Sequence, residues 1–435
     1  MFAPGTLRRG ALVLLSLAAP PAFAADPAAA VNAADTAWIL CATALVLFMT
    51  LPGLALFYGG LVRGKNALSV LIQCFAITCV ASLLWLAGGY GLAFRDGGAL
   101  QGVIGSLDRA FLLGVTRSSV VGTIPEPVFF MFQLTFAVIT PALVIGGYAE
   151  RIRFSAVLWF SALWLALVYV PVTHWIWGGG WLARLGVMDF AGGIVVHVNA
   201  GVAALVCALV IGNRRGFPHV PMPPHNLPLV ATGAGMLWVG WFGFNGGSAL
   251  AANGTAGMAI LATHLGACSG ALAWMLIEWR KYGKPSVLGL LTGVVAGLGT
   301  ITPASGFVGP VGAVAIGAIA GTVCFFATQL LKRVLHIDDS LDVSPVHGVG
   351  GVLGTLLTAV FGSVALGGAG YTVQHDMIGQ LGVQALGIVV AALWCGGITW
   401  LVLRVLDATL GLRVSEENES EGLDLAAHGE RGYSP

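Results

Sequence analysis

The sequence predicts an all-α integral membrane protein: eleven transmembrane helices after a cleaved signal peptide, a 5+5 inverted repeat plus one extra helix, N-terminus out and C-terminus in. Three observations lead there. Hydrophobic residues make up 57% of the 435 and charged residues only 9%, where an ordinary soluble domain is about a quarter charged. Apolar runs long enough to cross a bilayer, roughly 20 residues each, recur along the chain. Two histidines, His197 and His347, stand inside such runs, VVHVNAGVAALV and PVHGVGGVLGTLL. Ionisable side chains at membrane depth are costly and mark functional positions. The pair falls on the fifth and tenth runs, which points to a shared pore.

Taken in order, residues 1–25 read as a signal peptide: Arg8 and Arg9, a short apolar run broken by Pro20 and Pro21, then Ala22-Phe23-Ala24 as an A-x-A cleavage site. Residues 26–36 follow as an extracytoplasmic N-terminus. The transmembrane domain, 37–406, divides into spans near 37–59, 70–93, 128–149, 154–174, 191–212, 229–247, 257–278, 287–303, 308–331, 346–366 and 381–406. The odd-numbered connections hold eleven Lys and Arg (Arg63, Lys65, Arg151, Arg153, Arg214, Arg215, Arg280, Lys281, Lys284, Lys332, Arg333), the even ones four (Arg95, Arg109, Arg117, Arg184). Positive residues favour the cytoplasmic side, so the tail, 407–435, is expected inside. It carries Glu416, Glu417, Glu419, Glu421 and Asp424, which excludes a basic lipid-binding segment and reads by composition as a flexible tail.

The repeat is faint but legible. Span 1 ends Phe57-Tyr58-Gly59-Gly60 and span 6 ends Phe244-Asn245-Gly246-Gly247; Val196-His197 in span 5 matches Val346-His347 in span 10. Five spans per unit invert the second copy, an arrangement that puts a site between the halves at the midplane. The 63 glycines fit close helix approach in lipid. A formal net charge of +1 draws the chain neither to nucleic acid nor to acidic ligands. The seven cysteines lie in apolar runs with no CxxC or His/Cys metal spacing, and no cofactor is indicated.

Helical spacing outlines an outer site. Trp241, Phe244 and Ser248 are three and then four residues apart, and Phe132 and Phe136 are four apart, so each set shares a helix face. Aromatic faces beside a hydroxyl suit a small cation, through cation–π attraction and a hydrogen bond; Trp177 adds a further ring. The competing reading is an interfacial aromatic belt. Asp189 lies eight residues before His197, about 12 Å along a helix. It can attract a cation at the mouth or cap the helix, and the two roles are compatible.

These segments, with DFAGGIVVHVNAG, WFGFNGGS, FQLTFAVITPALVIGGYAERIRFSA, DVSPVHGVGG and the tail SEENESEGLDLAAHGERGYSP, resemble the ammonium transporter family, its Amt/Mep branch. The resemblance implies a transporter rather than an enzyme. It implies an external ammonium site of Phe136, Trp177 and Ser248 with Asp189, a gate of Phe136 and Phe244 supported by Phe132 and Trp241, and a pore lined by His197 and His347. A homotrimer in the cell inner membrane, and a tail docked beneath the pore and controlled by a cytosolic PII-type signalling protein, are implied too. Ser344-Pro345, before His347, departs from the family pattern, where the first of these two positions is often aromatic.

The chemistry supplies a reason for such a pore. An unpaired buried ion costs tens of kcal/mol in the idealised limit, and deprotonation avoids this by letting ammonia pass while potassium and sodium are rejected. The sequence leaves open a passive ammonia pore or a proton relay along the histidines. Two further readings stand beside it: a metalloenzyme using Asp189 and the histidines, poorly served by their spacing, and an ammonium sensor reporting through the tail.

Overall fold

The computed structural model describes residues 31–433; the signal-peptide segment 1–25 and the start of the 26–36 stretch lie outside the described residues. The chain is built of long helices: α1 (Ala33–Leu61), α2 (Gly64–Phe94), α3 (Glu126–Tyr148), α4 (Phe154–Arg184), α5 (Gly193–Ile211), α6 (Leu227–Gly247), α7 (Gly254–Tyr282), α8 (Val287–Ile301), α9 (Pro310–Val334), α10 (Ser344–Phe361) and α11 (Met377–Thr409). All but α8 are long and apolar enough to cross a membrane, ten helices among the described residues. The eighth is apolar but has 15 residues, about 22 Å. Two short helices close the tail, α12 (Glu416–Glu421) and α13 (Leu423–His428).

The helices start where the sequence offers caps. Asn32, Asn226, Asn253, Ser286 and Asp376 each accept a backbone N–H of the helix that follows, satisfying donors left orphaned in the first turn. Large apolar side chains such as Leu83, Val311 and Leu393 stay exposed on the outer surface, as a lipid-facing wall requires. The most deeply packed helix is α3, apolar throughout and buried along nearly its whole length.

Helices α5 and α10 cross at the centre. A Cβ on Gly201 would lie 2.2 Å from the Gly348 Cα, and one on Gly351 would lie 2.7 Å from the Gly193 carbonyl oxygen. Only glycine permits that approach, and it brings His197 and His347, on the same stretches, face to face. Each histidine sits in a wide π-helical turn, Gly193–Val198 and Ser344–Gly348, of the kind that recurs at functional sites.

The end of the bundle that carries Arg63, Arg151 and Arg214 is tied by a buried ion chain. Glu150 receives Arg63 at 2.6 Å and Arg214 at 3.4 Å, and Arg214 reaches Asp338 at 2.8 Å. The fully buried Arg151 guanidinium donates to the carbonyls of Gly147, Ala149, Gly212 and Asp338 and to Ser340 Oγ. The tail folds back onto this face. Glu419 accepts from Arg413 and from the Arg215 N–H; Asp424 accepts from the Leu68 and Ser69 N–H groups near the start of α2, where its α-helical part begins at Ala67. The acid-rich composition that reads as solvated is therefore a set of acceptors for helix-end donors and arginines.

Candidate functional site

A narrow, mostly apolar lumen runs between α1, α3, α5, α6, α8 and α10. It has room for about 10 Å³ of solvent between Phe244 and His347, roughly one water. Its walls include Leu237, Val295 and Ile139, so an ion inside would find almost nothing to replace its hydration shell.

Two phenyl rings lie at one end. The Phe136 and Phe244 centroids are 4.3 Å apart at 38°, and both rings are buried. Phe132 packs edge-on against Phe136 at 5.1 Å, and Trp177 meets it edge-on at 5.7 Å. The Trp177 indole is held by its Nε1–H, which donates to the Asp189 carbonyl at 2.8 Å. Ser248 follows the last residue of α6 and donates its hydroxyl hydrogen to the Phe244 carbonyl at 2.8 Å. Its lone pairs stay free to accept a hydrogen from a ligand. Phe136, Trp177, Phe244 and Ser248 thus form one neighbourhood drawn from α3, α4 and α6.

Below the rings His197 and His347 meet. Their Nδ1 atoms are 3.2 Å apart, and their rings stack at 5.2 Å and 23°. One Nδ1 must donate and the other accept. The donor's Nε2 is then bare, whereas the acceptor's Nε2 carries a hydrogen, so the pair offers one acceptor and one donor. His197 Nε2 has no partner among the described residues. Trp241 stacks on His197 at 5.6 Å and is itself fixed by donating to Thr302 Oγ1 at 2.8 Å.

Asp189 serves as a helix cap of unusual reach. Its two oxygens accept from Gly192, Gly193, Ile194 and Val195, the opening N–H groups of the α5 segment. Gly192 takes φ 119° to allow the turn. With those oxygens so occupied, Asp189 is poorly placed to hold a metal as well. Past His347 the lumen opens into a wider cavity of about 310 Å³, whose wall includes Asp342, Lys332 and Glu278.

A sequence model described as the Ammonium Transporter Family matches residues 37–433. The chain belongs to the ammonium transporter family. An ammonium transporter of Aquifex aeolicus is 45% identical over 97% of this chain and 98% of that relative; one of Bacillus subtilis is 43% identical over 92% and 98%. Among solved structures, one titled Sensor Amt Protein superposes with a TM-score of 0.85 at 34% identity, covering 91% of this chain and 98% of its own. Candida albicans Mep2 superposes with a TM-score of 0.82 at 36% identity, covering 89% and 88%. The Aquifex and Bacillus relatives are ammonium transporters rather than enzymes, and the all-helical fold of this family member matches the two solved structures.

Several residues at the site have no place in the sequence expectations. Thr302 has no motif around it, and Leu237 and Val295 look like any other apolar wall. Asp339 was legible: it precedes His347 by eight residues, the spacing of Asp189 and His197. His174, three residues before Trp177, is fully buried with both ring nitrogens against carbonyl oxygens, Ala93 at 3.0 Å and Gln101 at 2.8 Å. It clamps the end of α2 and the loop that follows it to the turn that carries Trp177.

Proposed function

We propose that the chain takes up ammonium from the extracytoplasmic side of a cell inner membrane and passes it inward as ammonia. Phe136, Trp177 and Ser248 receive the cation, Asp189 assists through its charge, and Phe136 with Phe244 gates the lumen. His197 and His347 then guide the deprotonated molecule through hydrogen bonds to their outward nitrogens. The observation that carries the reading is the bonded histidine pair beneath a closed aromatic stack, in a lumen too narrow and too apolar for a hydrated ion. Membership of the ammonium transporter family supplies the substrate class.

Around that core the same reading assigns eleven spans with α8 among them, a signal peptide over 1–25 and the Arg63 face toward the cytoplasm. Residues 37–406 are the transport domain and 407–435 a cytoplasmic regulatory tail. The protein works as a homotrimer with one pathway per subunit. The tail, bound to Arg215 and the start of α2, is the element through which a PII-type protein or an ammonium-sensing role would act.

The test is simultaneous measurement of current and ammonia flux in proteoliposomes after an ammonium pulse, for the parent and for a His197→Ala, His347→Ala double variant, with potassium as control. Current that accompanies flux, with ammonium selectivity lost in the variant, supports a histidine proton relay. Flux without current supports passive ammonia passage. Neither flux nor current in the parent overturns transport in favour of sensing.

A further inference from the structure

The connection between α4 and α5 is buried although it holds no regular structure. Gly186, Val187, Met188 and Asp189 all lie inside the protein, and backbone polar groups shut away from water need partners. Some partners are close in sequence: the Val187 N–H donates to the Leu182 carbonyl, and the Asp189 carbonyl receives the Trp177 indole. Others come from α11. Gln380 donates its amide to the Gly186 carbonyl at 2.9 Å. Gln384 takes Met188 at both ends: its Oε1 accepts the Met188 N–H at 2.8 Å, and its Nε2 donates to the Met188 carbonyl at 2.7 Å. An antiparallel strand holds a residue of its neighbour by the same double exchange.

Nothing is left over on the Gln384 amide. Its Nε2 also donates to the Thr355 carbonyl of α10 at 3.0 Å, and its Oε1 also receives Gln380 Nε2 at 3.2 Å. An amide turned the other way would set its NH2 against the Met188 N–H and its oxygen against two carbonyls, so the partners fix its orientation. Both glutamines are fully buried. Gln380, Gln384 and Gly387 fall four and then three residues apart, on one face of α11. A Cβ on Gly387 would stand 3.1 Å from the Val187 side chain and 3.2 Å from that of Ile194, so this face presses on the connection and on the start of α5 together.

We propose that Gln384 is a positioning residue for ammonium recognition: by holding both backbone groups of Met188 it sets the next residue, Asp189, whose carbonyl fixes the Trp177 indole and whose carboxylate caps α5. Gln380 extends the brace back to Gly186. Through Thr355 the same amide joins the connection to α10, the helix that carries His347. Gln384 acts only through Asp189 and Trp177, and the assignment rests on the transport reading above, in which those two residues receive the cation. Loss of the brace therefore weakens capture more than passage, because the glycine crossing that pairs His197 with His347 does not involve Gln384.

The measurement is the initial rate of ammonium uptake into proteoliposomes against external ammonium, for the parent, Gln384→Leu, Gln380→Leu and Thr399→Val. Thr399, in the second half of the same helix, receives the Trp164 indole and controls for a buried hydrogen bond lost elsewhere in α11. Gln384→Leu is expected to raise the half-saturating concentration about tenfold, the factor that goes with one hydrogen bond of ordinary net strength, while maximal uptake stays close to the parent's. Gln380→Leu should move it the same way by less. Thr399→Val should leave it unmoved, whatever it does to the thermal midpoint. A half-saturating concentration unchanged in Gln384→Leu, or raised as much by Thr399→Val, overturns the proposal, and so does a fall in maximal uptake at the parent's half-saturation. Should size-exclusion elution show that Gln384→Leu does not fold, Gln380→Leu decides, and no rise there overturns the brace. A parent without saturable uptake overturns the transport reading and this assignment with it; saturable uptake in the parent with unmoved variants overturns the brace alone.

Discussion

With 3.2 Å between the His197 and His347 Nδ1 atoms, a single hydrogen serves both rings, and the tautomer of one fixes the tautomer of the other. The same economy of donors explains Asp189. Replacing it by asparagine leaves one carbonyl oxygen to receive four N–H groups and turns an NH2 toward the rest. Each buried donor left unmet costs about 1–3 kcal/mol, so Asp189→Asn should lower the thermal unfolding midpoint in detergent and reduce ammonium flux together. An unchanged midpoint would separate the residue from its capping role. The aromatic stack allows a different prediction. Phe244→Ala removes one ring of the pair 4.3 Å apart at a cost of about 3–5 kcal/mol, and should raise methylammonium flux relative to ammonium flux. A ratio equal to the parent's would mean the rings do not close the lumen. The shared face of Trp241, Phe244 and Ser248 was legible from spacing, whereas the pairing of Phe136 with Phe244 was expected only from the family resemblance. Thr302 was not legible, since a hydroxyl in an apolar run carries no mark of the indole it receives from another helix.

At the scale of the element, the crossing of α5 and α10 decides the site. Gly201 and Gly348 touch backbone to backbone, and any side chain there forces the helices apart by more than a rotamer change can absorb. Gly201→Val should cost at least about 1–3 kcal/mol by overpacking and should separate the histidines. Lower thermal stability with loss of ammonium flux is expected, and wild-type flux from a stable Gly201→Val protein would show that the close crossing is dispensable. The glycine count pointed to close approach somewhere, but not to which pair of helices. The Ser344-Pro345 departure was visible as well, and read alone it concerned only local helix geometry. Span boundaries shifted outward in most helices, with α7 running Gly254–Tyr282 and α11 Met377–Thr409, because hydropathy marks the apolar centre of a helix and not the polar turns that continue it.

Across the whole molecule, the ion chain Arg63–Glu150–Arg214–Asp338 joins loops that are far apart in sequence. Burial works to raise the Asp338 carboxyl, yet the Arg214 guanidinium outweighs it and holds the group below its ordinary value. A depressed folded value gives stability that is present above the unfolded pKa, about 3.9, and is lost as pH falls through the folded value. The Arg63 face should therefore stay closed from neutral pH down to about 4 and loosen only below it. In Arg214→Gln, burial acts on Asp338 unopposed and the loosening should begin at higher pH. Limited proteolysis of the tail against pH reads this directly, and identical profiles for parent and variant would refute the coupling.

The sequence by itself determined that this is an all-helical, multi-pass membrane protein, placed two histidines at matching points of a faint repeat, and carried the motifs of the ammonium transporter family. Those properties are local: hydropathy accumulates over some 20 neighbouring residues, and spacing along one helix sets which side chains share a face. The tertiary structure decided what depends on distant parts of the chain. It joined His197 to His347 across 150 residues and brought Phe136 of α3 onto Phe244 of α6. It folded an acidic tail, disordered by composition, onto the arginines and the α2 helix start that need acceptors. Whether a polar atom finds a partner is a property of three-dimensional position, and for that reason the Thr302 hydroxyl meets the Trp241 indole only once the chain is folded.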